Sequence, residues 1–193
     1  MLIGITGGIG SGKSVIAQEL ARRGYKVYDS DAEAKRIIAQ HPEVQAQIRA
    51  LLGEQSFVDG RYNTAYVAQR VFADEQLLQQ LNAIVHPAVR EEISAISRQS
   101  SGYFFVESAI LHEAGLDRLC DCIIYVDAPE DVRIARTVAR DHCEAAQVRA
   151  RMSHQQGQTC VCRQPSEQKK TIVLRNDGSQ SIEALVDWLI SQL

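Results

Sequence analysis

The residues best suited to chemistry in this chain lie in a glycine-rich segment at positions 7–14, which reads GGIGSGKS. The segment satisfies the spacing G-x-x-x-x-G-K-[ST], with Gly7, Gly12, Lys13 and Ser14 at the fixed positions. Glycines in this pattern let successive backbone N–H groups turn toward one concave anion site. The lysine can then reach the terminal phosphates of a nucleotide, and the serine hydroxyl can bind Mg²⁺. The spacing therefore predicts a site for the phosphates of ATP together with Mg²⁺.

The sequence on either side of this loop supplies the elements that must position it. Residues 2–5 form a short apolar run typical of a buried strand, and residues 15–20 carry apolar side chains at helical spacing. A helix that begins at the loop places its positive dipole end beneath the phosphates. A flexible turn beside a chance lysine would not be expected to have both flanks. The residues that we expect to bind the phosphates are Gly8, Ile9, Gly10, Ser11, Gly12, Lys13, Ser14 and Val15.

Short apolar runs alternate with helical patterns along the chain, which favours an α/β fold with a parallel sheet. The predicted strands are residues 2–5, 26–28, 103–107, 122–126 and 171–174, all approximate. Ligands bind at the carboxyl ends of strands in such sheets. Polar residues follow these strands, namely Asp29, Asp31, Glu107, Asp127 and Asn176. We therefore expect a P-loop three-layer sandwich with a five-stranded parallel sheet and a polar site at one edge.

The spacing of the strands also predicts how the single domain of 193 residues is divided. Some 70 residues between the second and third strands read as mostly helical, which is too long for one crossover. We expect a helical insertion at about 32–100 that helps to hold an acceptor. Residues of about 138–168 begin helical and become polar, which fits either a lid over the phosphates or a loose surface loop. The remaining residues, about 1–31, 101–137 and 169–193, form the predicted core.

Asp31 is the candidate for the group that handles an acceptor hydroxyl. A carboxylate at the end of a strand beside the phosphate loop can accept a hydroxyl proton or orient the hydroxyl toward the γ-phosphate. The alternative is a helix N-cap, because Asp31 precedes a good helix start at Ala32. We favour the functional role for Asp31, whereas Asp29 fits both roles equally well.

Arg133, Arg136 and Arg140 are spaced three and four apart, so on a helix they share one face. Arginine binds phosphate oxygens in a bidentate way and stabilises spreading negative charge. We favour a catalytic role for Arg140, which leads into the predicted lid. A catalytic role for Arg136 is as well supported as the alternative, and Arg136 is also a candidate for binding the nucleotide. The alternative is a solvated charged face held by local ion pairs.

Composition limits the partners that the chain can have. A formal net charge of -3 argues against a general nucleic-acid binder. No stretch approaches the roughly 20 apolar residues that span a bilayer. Because no basic and apolar leader precedes the first strand, we expect a cytoplasmic protein without membrane contact. The sequence leaves the choice between a monomer and a small homo-oligomer open.

The five cysteines predict free thiols rather than a disulfide framework. Cys120 and Cys122 flank a buried strand start and are expected in the core. Cys143, Cys160 and Cys162 lie near histidines in the sequence, which raises zinc binding as an alternative. Zinc is not the favoured interpretation, because the C-x-C spacing differs from the usual C-x₂-C knuckle.

Several ordered motifs make the chain resemble the dephospho-CoA kinases over nearly its whole length. The shared motifs are the loop Thr6–Ser14, the turn Asp29-Ser30-Asp31, a leucine-rich helix that ends in His86-Pro87, the run Ile110–Gly115, the set Arg136, Arg140 and Asp141, and the turn Asn176-Asp177-Gly178. The phosphate loop alone occurs in many NTPases. The His-Pro and paired-acid elements in this order are much more specific to the resemblance.

The resemblance implies ATP-dependent phosphorylation of the ribose 3′-hydroxyl of dephospho-CoA, the last step of CoA synthesis. It implies that Lys13 and the loop amides hold ATP, that Ser14 helps to hold Mg²⁺, and that Asp31 orients or deprotonates the hydroxyl. It further places Arg140 on the transferring phosphate. The implied acceptor-side residues are His86, Pro87 and Glu113, and the implied adenine-side residues are Asn176 and Gly178. Glu107 occupies the position of a metal-supporting acid in many P-loop proteins.

Three other interpretations were weighed against this one. The first is another small-molecule P-loop kinase, such as a nucleoside or sugar kinase, and the acceptor-side features His86-Pro87 and Glu113 argue against it. A GTP-dependent switch would carry N-K-x-D and D-x-x-G motifs, and neither occurs in the sequence. A non-catalytic nucleotide scaffold would need no acceptor-side acid such as Asp31 and no lid arginine.

Overall fold

The computed structural model describes residues 1–159 and 169–193, with side chains except at 154–159. The chain divides into two compact units: residues 1–29 with 99–193, called the core unit, and residues 30–98, called the helical unit. The elements in chain order are β1 Leu2–Thr6, α1 Lys13–Arg22, β2 Lys26–Asp29, α2 Ser30–Gln40, α3 Pro42–Leu52, β3 Phe57–Val58, β4 Arg61–Tyr62, α4 Thr64–Phe72, α5 Glu75–Gln99, β5 Phe104–Glu107, β6 Cys122–Asp127, α6 Glu130–Asp141, α7 Ala145–Thr159, β7 Lys170–Arg175 and α8 Ile182–Gln192.

The core unit is built on a five-stranded sheet with the order β2-β5-β1-β6-β7. All neighbouring strands are parallel. The predicted five-stranded parallel sheet is therefore confirmed, and each predicted strand is present. Strand β1 lies between β5 and β6, with Ile5 in register with Glu107 and Thr6 in register with Tyr125. The phosphate loop thus leaves the sheet from its central strand, where ligands bind in open α/β folds.

One face of the sheet packs against α1 and α8 in a single apolar cluster. Alternate strand residues point to this face, as the two-residue period of a strand requires. The fully buried members include Ile3, Ile5, Phe105 and Ile124 from the strands and Leu20 from α1. Complete burial of one such side chain contributes about 1.5–3 kcal/mol. This cluster fixes the position of β1 and α1, the two elements that hold the phosphate loop.

The opposite face of β1 lies against the segment that joins β5 to β6. Gly4 faces this segment, and a Cβ added there would lie 2.8 Å from Leu111 Cδ2 and 2.9 Å from Cys120 Sγ. Leu111 is fully buried and Cys120 is 2% exposed. The glycine therefore lets this segment, which contains no α-helix, cover the central strand closely. Cys120 and Cys122 are free and buried, as the sequence predicted.

The helical unit contains α2 to α5 and a two-stranded hairpin that sequence patterns did not reveal. Strands β3 and β4 are only two residues long and meet at Asp59 and Gly60, both with positive φ. The expectation that a helix ends at His86-Pro87 is wrong, because α5 continues to Gln99 with Pro87 inside it. Proline removes one helical hydrogen bond. Buried residues spaced four apart on either side of Pro87 keep the helix continuous; they are Leu81, Val85, Val89 and Ile93.

Helices α6 and α7 follow β6 in the core unit and pack together. Helix α6 ends at His142, whose φ of 51° is left-handed. Buried Ile134, Val148 and Met152 form a small apolar cluster between the two helices, and Ile9 of the phosphate loop packs against it. The helical start of the predicted lid is thus present, and the rest of that stretch, residues 160–168, lies outside the described residues. In the described part of the chain, no helix is both long and apolar enough to cross a bilayer.

Candidate active site

The phosphate loop connects β1 to α1 through a tight backbone turn. Ser11 N donates to the Gly8 carbonyl at 3.1 Å, and Ile16 N donates to the Gly12 carbonyl at 3.2 Å as α1 begins. Gly12 precedes the helix with a φ of 93°, which an L side chain rarely adopts. The first N–H groups of a helix have no partner within the helix, so those of Lys13 and Ser14 are available to an anion. The loop therefore leads directly from β1 into α1, as its flanking sequence predicted.

A serine–carboxylate pair lies beside the loop. The Ser14 hydroxyl donates to Glu107 Oε1 at 3.0 Å. Glu107 ends β5 and is only 8% exposed, whereas Ser14 is exposed. Hydroxyl and carboxylate oxygens are the donors that Mg²⁺ prefers, with waters and phosphate oxygens completing its shell. The residues present therefore fit a Mg²⁺ ion that is bound mainly through the nucleotide.

Asn176 joins the end of β7 to the phosphate loop. Its main-chain N–H donates to the Asp127 carbonyl at 2.7 Å, and its Nδ2 donates to the Ser11 carbonyl at 2.9 Å. Arg136 donates from Nη1 to the Asn176 carbonyl at 2.9 Å and from Nη2 to Asn176 Oδ1 at 3.3 Å. Asn176 is 3% exposed. The structure thus brings Arg136 and Asn176 together at the loop, and both were candidates from the sequence.

Two further residues of α6 touch the loop and were not assigned a site role from the sequence. Arg133 Nε donates to the Ile9 carbonyl at 2.9 Å. The buried Thr137 hydroxyl donates to the Arg133 carbonyl at 2.8 Å. A Cβ at Gly10 would overlap that same carbonyl and lie close to the Thr137 hydroxyl. Helical spacing had placed Arg133 on the face of Arg136, but it gave no sign that Thr137 packs beneath the loop.

Arg140, the favoured catalytic arginine, lies on the last turn of α6 with a side chain 65% exposed. It donates from Nε to Asp141 Oδ1 at 2.7 Å, and Arg151 donates to Asp141 Oδ2 at 3.0 Å. These two hydrogen bonds lower the pKa of Asp141 to about 2, and the bond to Asp141 raises the pKa of Arg140. Among the described residues, Arg140 has no hydrogen bond to the loop. This arrangement corresponds to the alternative of local ion pairs.

Asp31 lies in the first turn of α2, in the helical unit, and is exposed. The helix begins at Ser30, so Asp31 is a first-turn acid rather than the N-cap that the alternative required. A carboxylate there is also stabilised by the helix dipole. Asp31 lies two residues beyond Asp29. Asp29 is the last residue of β2 and is in register with Glu107, the last residue of β5.

His86 and Pro87 lie within α5 of the helical unit rather than at a helix end. The His86 side chain is partly buried, and burial, with a smaller contribution from Arg90, lowers its pKa. In the core unit, Glu113 is exposed in the segment after β5. Gly178 has a φ of 91° in the turn after β7, and a Cβ there would lie 3.8 Å from Arg136 Nη2.

The suggested zinc ligands are only partly covered by the described residues. Cys143 is half-buried, and Arg151 Nη2 lies 3.2 Å from its sulfur. Cys160, Cys162 and the His154 side chain lie outside the description. Within residues 1–159 and 169–193, no group of three or more His, Cys, Asp or Glu side chains is arranged to hold a metal.

A phosphate loop after the central strand of a parallel sheet, with a serine–carboxylate pair beside it, defines a P-loop nucleotide-binding protein. Comparison with known proteins narrows this class to kinases. The dephospho-CoA kinase family model matches residues 1–181. The chain belongs to the dephospho-CoA kinase family.

Individual relatives agree with the family match. A dephospho-CoA kinase of Bacteroides fragilis is 37% identical over 193 residues, covering 99% of this chain and 92% of the relative. A dephospho-CoA kinase of Porphyromonas gingivalis is 41% identical over 155 residues, covering 80% and 77%. The crystal structure of TT1252 from Thermus thermophilus matches with a TM-score of 0.81 and 32% identity, covering 100% of this chain and 97% of that chain. The family uses ATP as its phosphate donor.

Proposed function

We propose that this protein transfers the γ-phosphate of ATP to the ribose 3′-hydroxyl of dephospho-CoA, giving CoA and ADP, the last step of CoA synthesis. The observation that carries the proposal is the family match over residues 1–181, which includes the phosphate loop, the helical unit and all of the core unit except residues 182–193. The loop geometry agrees with it, because α1 begins at Lys13 directly after the loop and its first amides are available to an anion.

The donor side of the reaction is formed by the core unit. The loop amides and Lys13 bind the phosphates. The part of the nucleotide site next to the adenine is formed by Arg136, Asn176 and Gly178. Ser14 would hold Mg²⁺, with Glu107 accepting the hydrogen bond of the Ser14 hydroxyl. A bound Mg²⁺ neutralises charge on the β- and γ-phosphates. The positions of these residues next to the loop support this assignment, since phosphoryl transfer depends mainly on positioning and charge.

The acceptor side is assigned to Asp31, His86, Pro87 and Glu113. Asp31 accepts the proton of the 3′-hydroxyl while its oxygen forms the new bond to phosphorus. The bond from the γ-phosphorus to the β-phosphate oxygen breaks, and ADP leaves. A carboxylate suits this step because it can accept a hydroxyl proton, and its exposed position lets it return the proton to solvent.

Arg140 is proposed to stabilise charge on the transferring phosphate. In the structure it is paired with Asp141, so it must exchange this partner for phosphate oxygens. Exposed ion pairs contribute only about 0–1 kcal/mol, and a bidentate bond to phosphate is stronger. The proposed division of the chain has a core at about 1–31, 101–137 and 169–193, an insertion at about 32–100 and a lid at about 138–168. A cytoplasmic location and a monomer or small homo-oligomer stay predictions from the sequence.

The test is ATP consumption with dephospho-CoA as acceptor, followed by ³¹P NMR of the product to identify the phosphorylated hydroxyl. Nucleosides and sugars serve as competing acceptors. We expect phosphorylation at the 3′-position only. Robust turnover of a nucleoside or sugar with none of dephospho-CoA would overturn the proposal.

A matched pair of variants tests the role of Asp31. Asp31 and Glu43 are both exposed acids in the first turn of a helix, α2 and α3 respectively. Loss of a first-turn acid costs about 0.3–1 kcal/mol through the helix dipole, whatever its function. We expect D31N to lose about 10²- to 10⁴-fold in turnover and E43Q to keep it. Equal and small effects of both variants would leave Asp31 with a helix-stabilising role alone.

A further inference from the structure

We propose that Arg133 is a positioning residue for the donor triphosphate, because its hydrogen bond to the Ile9 carbonyl sets the direction of the next N–H group in the phosphate loop. The inference rests on the proposed use of ATP. It assigns to Arg133 a role that neither the loop motif nor the acceptor-side residues require.

The planarity of the peptide bond links the direction of the Ile9 carbonyl to that of the next N–H group. In a trans peptide the C=O and N–H groups point in opposite directions, and no peptide in the described chain is cis. The Ile9 carbonyl and the Gly10 N–H belong to one such plane. Since Arg133 Nε binds the carbonyl at 2.9 Å, the Gly10 N–H points away from α6. That is the direction required of an amide that donates into the concave side of the loop.

The same arrangement occurs two peptide units further along. Asn176 Nδ2 binds the Ser11 carbonyl at 2.9 Å, which directs the Gly12 N–H away from Asn176. Within the described part of the chain, neither Gly10 N–H nor Gly12 N–H has a hydrogen-bond acceptor. Two side chains from separate elements therefore bind alternate carbonyls, and the N–H groups opposite them are left for a ligand.

The loop needs such fixing because its sequence is flexible. Gly8 and Gly10 flank Ile9, and glycine crosses between positive and negative φ without steric cost. Rotation of the peptide between Ile9 and Gly10 would turn a carbonyl oxygen toward the phosphates and repel them. A charge-assisted hydrogen bond from Arg133 opposes that rotation. The guanidinium also lies against Gly8, where an added Cβ would overlap Nη2.

The positioning role is separable from the charge of Arg133. In the described chain, the guanidinium has this single hydrogen bond and no carboxylate partner. The donor is Nε, the fourth atom beyond Cα. A glutamine carries an amide nitrogen at that same distance from Cα without the charge, whereas a lysine keeps the charge but has no donor there. A methionine of similar length has neither property.

The experiment measures binding of Mg²⁺–ATP by calorimetry and turnover with dephospho-CoA for wild type, R133Q, R133K, R133M and the control R118M. Arg118 is exposed in the turn before β6, at the opposite end of the strand from the loop. If the affinity falls with the fraction of loops in the competent state, R133M should bind about tenfold more weakly, a typical consequence of a lost hydrogen bond. R133Q and R118M should stay within about twofold of wild type, and the KM for dephospho-CoA should not change in any variant.

Each other outcome overturns the inference. Normal binding by R133K with weak binding by R133Q would assign the effect to charge. Normal binding by R133M would remove any role for Arg133. A parallel rise of both KM values with a lower Tm would indicate a structural role only. Should R133M not fold, the comparison of R133Q with R133K still decides. Failure of wild type to phosphorylate dephospho-CoA contradicts the proposed function instead, and the ATP titrations stay interpretable.

Discussion

Replacing Asn176 by alanine should weaken both the fold and nucleotide binding, because Asn176 is the buried side chain that joins β7 to the phosphate loop. The substitution removes the 2.9 Å bond from Nδ2 to the Ser11 carbonyl and the 3.3 Å bond from Arg136 to Oδ1. It keeps the bond from Arg136 to the Asn176 main-chain carbonyl. The loss is therefore confined to two side-chain contacts.

The expected magnitude follows from what is left unpaired. Ser11 is 1% exposed, so its carbonyl loses a partner in a place that water reaches poorly. An unsatisfied buried group of this kind costs about 1–3 kcal/mol. The contact from Arg136 adds little, since it is long and that guanidinium is partly exposed. We expect the free energy of unfolding of N176A to fall by about 1–3 kcal/mol.

Urea unfolding with and without saturating Mg²⁺–ATP measures this change, and ATP titration measures affinity. The variant N176D provides the comparison, since a carboxylate can accept from Arg136 but cannot donate to the Ser11 carbonyl. We expect N176D to bind ATP at least as weakly as N176A, because it adds negative charge near the phosphates. A free energy of unfolding for N176A within about 0.5 kcal/mol of wild type, the usual range for surface substitutions, would contradict this reasoning if ATP binding were also normal. The hydrogen bond between Asn176 and the loop would then have no energetic role.

Four further predictions concern other parts of the molecule. E107Q should raise the Mg²⁺ concentration for half-maximal turnover several-fold, a typical outer-shell effect, without changing the KM for dephospho-CoA; an unchanged Mg²⁺ titration would remove Glu107 from the metal site. G4A should lower the free energy of unfolding by about 1–3 kcal/mol through overpacking against Leu111, and L111V in the same chain should restore part of it in urea unfolding. Burial raises the pKa of Cys120 to about 12, so iodoacetamide should label it only with denaturant, and labelling of the native protein by mass spectrometry would contradict its burial. The pKa of Asp141 falls from 3.8 to about 2 on folding, so its contribution to stability is present above pH 3.8 and is lost toward pH 2. The decrease in Tm over that pH range should therefore be smaller in D141N than in wild type. The same dependence of Tm on pH in both proteins would refute the pairing.

The sheet could be predicted from the sequence because its signals are local. Each buried strand is a short apolar run, and the loop after β1 carries four residues of fixed type. Asn176 was also predictable, since a polar residue directly after a strand reaches the ligand edge of a parallel sheet. Its detailed role was not, because a hydrogen bond to the Ser11 carbonyl joins residues 165 positions apart.

Where sequence reasoning failed, the contacts that decided the structure were not visible in the local residue pattern. Pro87 is a strong local signal for a helix end, yet buried residues before and after it hold α5 together. The hairpin of β3 and β4 is too short for a two-residue period to be visible. Arg133 and Arg140 are similar in sequence terms, but one binds the loop and the other binds its neighbour Asp141. Spacing shows that two side chains share a helix face and does not show what each one contacts.

The close approach of α6 to Gly10 has a consequence for how such sequences are interpreted. A Cβ at Gly10 would overlap the Arg133 carbonyl, so this glycine is needed for packing whether or not a nucleotide binds. A descendant of this protein that had lost catalysis would still be selected to keep that glycine in order to fold. Gly10 therefore reflects the packing of α6 against the loop, whereas Ser14 and Glu107 would be retained for Mg²⁺ only if they have the role proposed above.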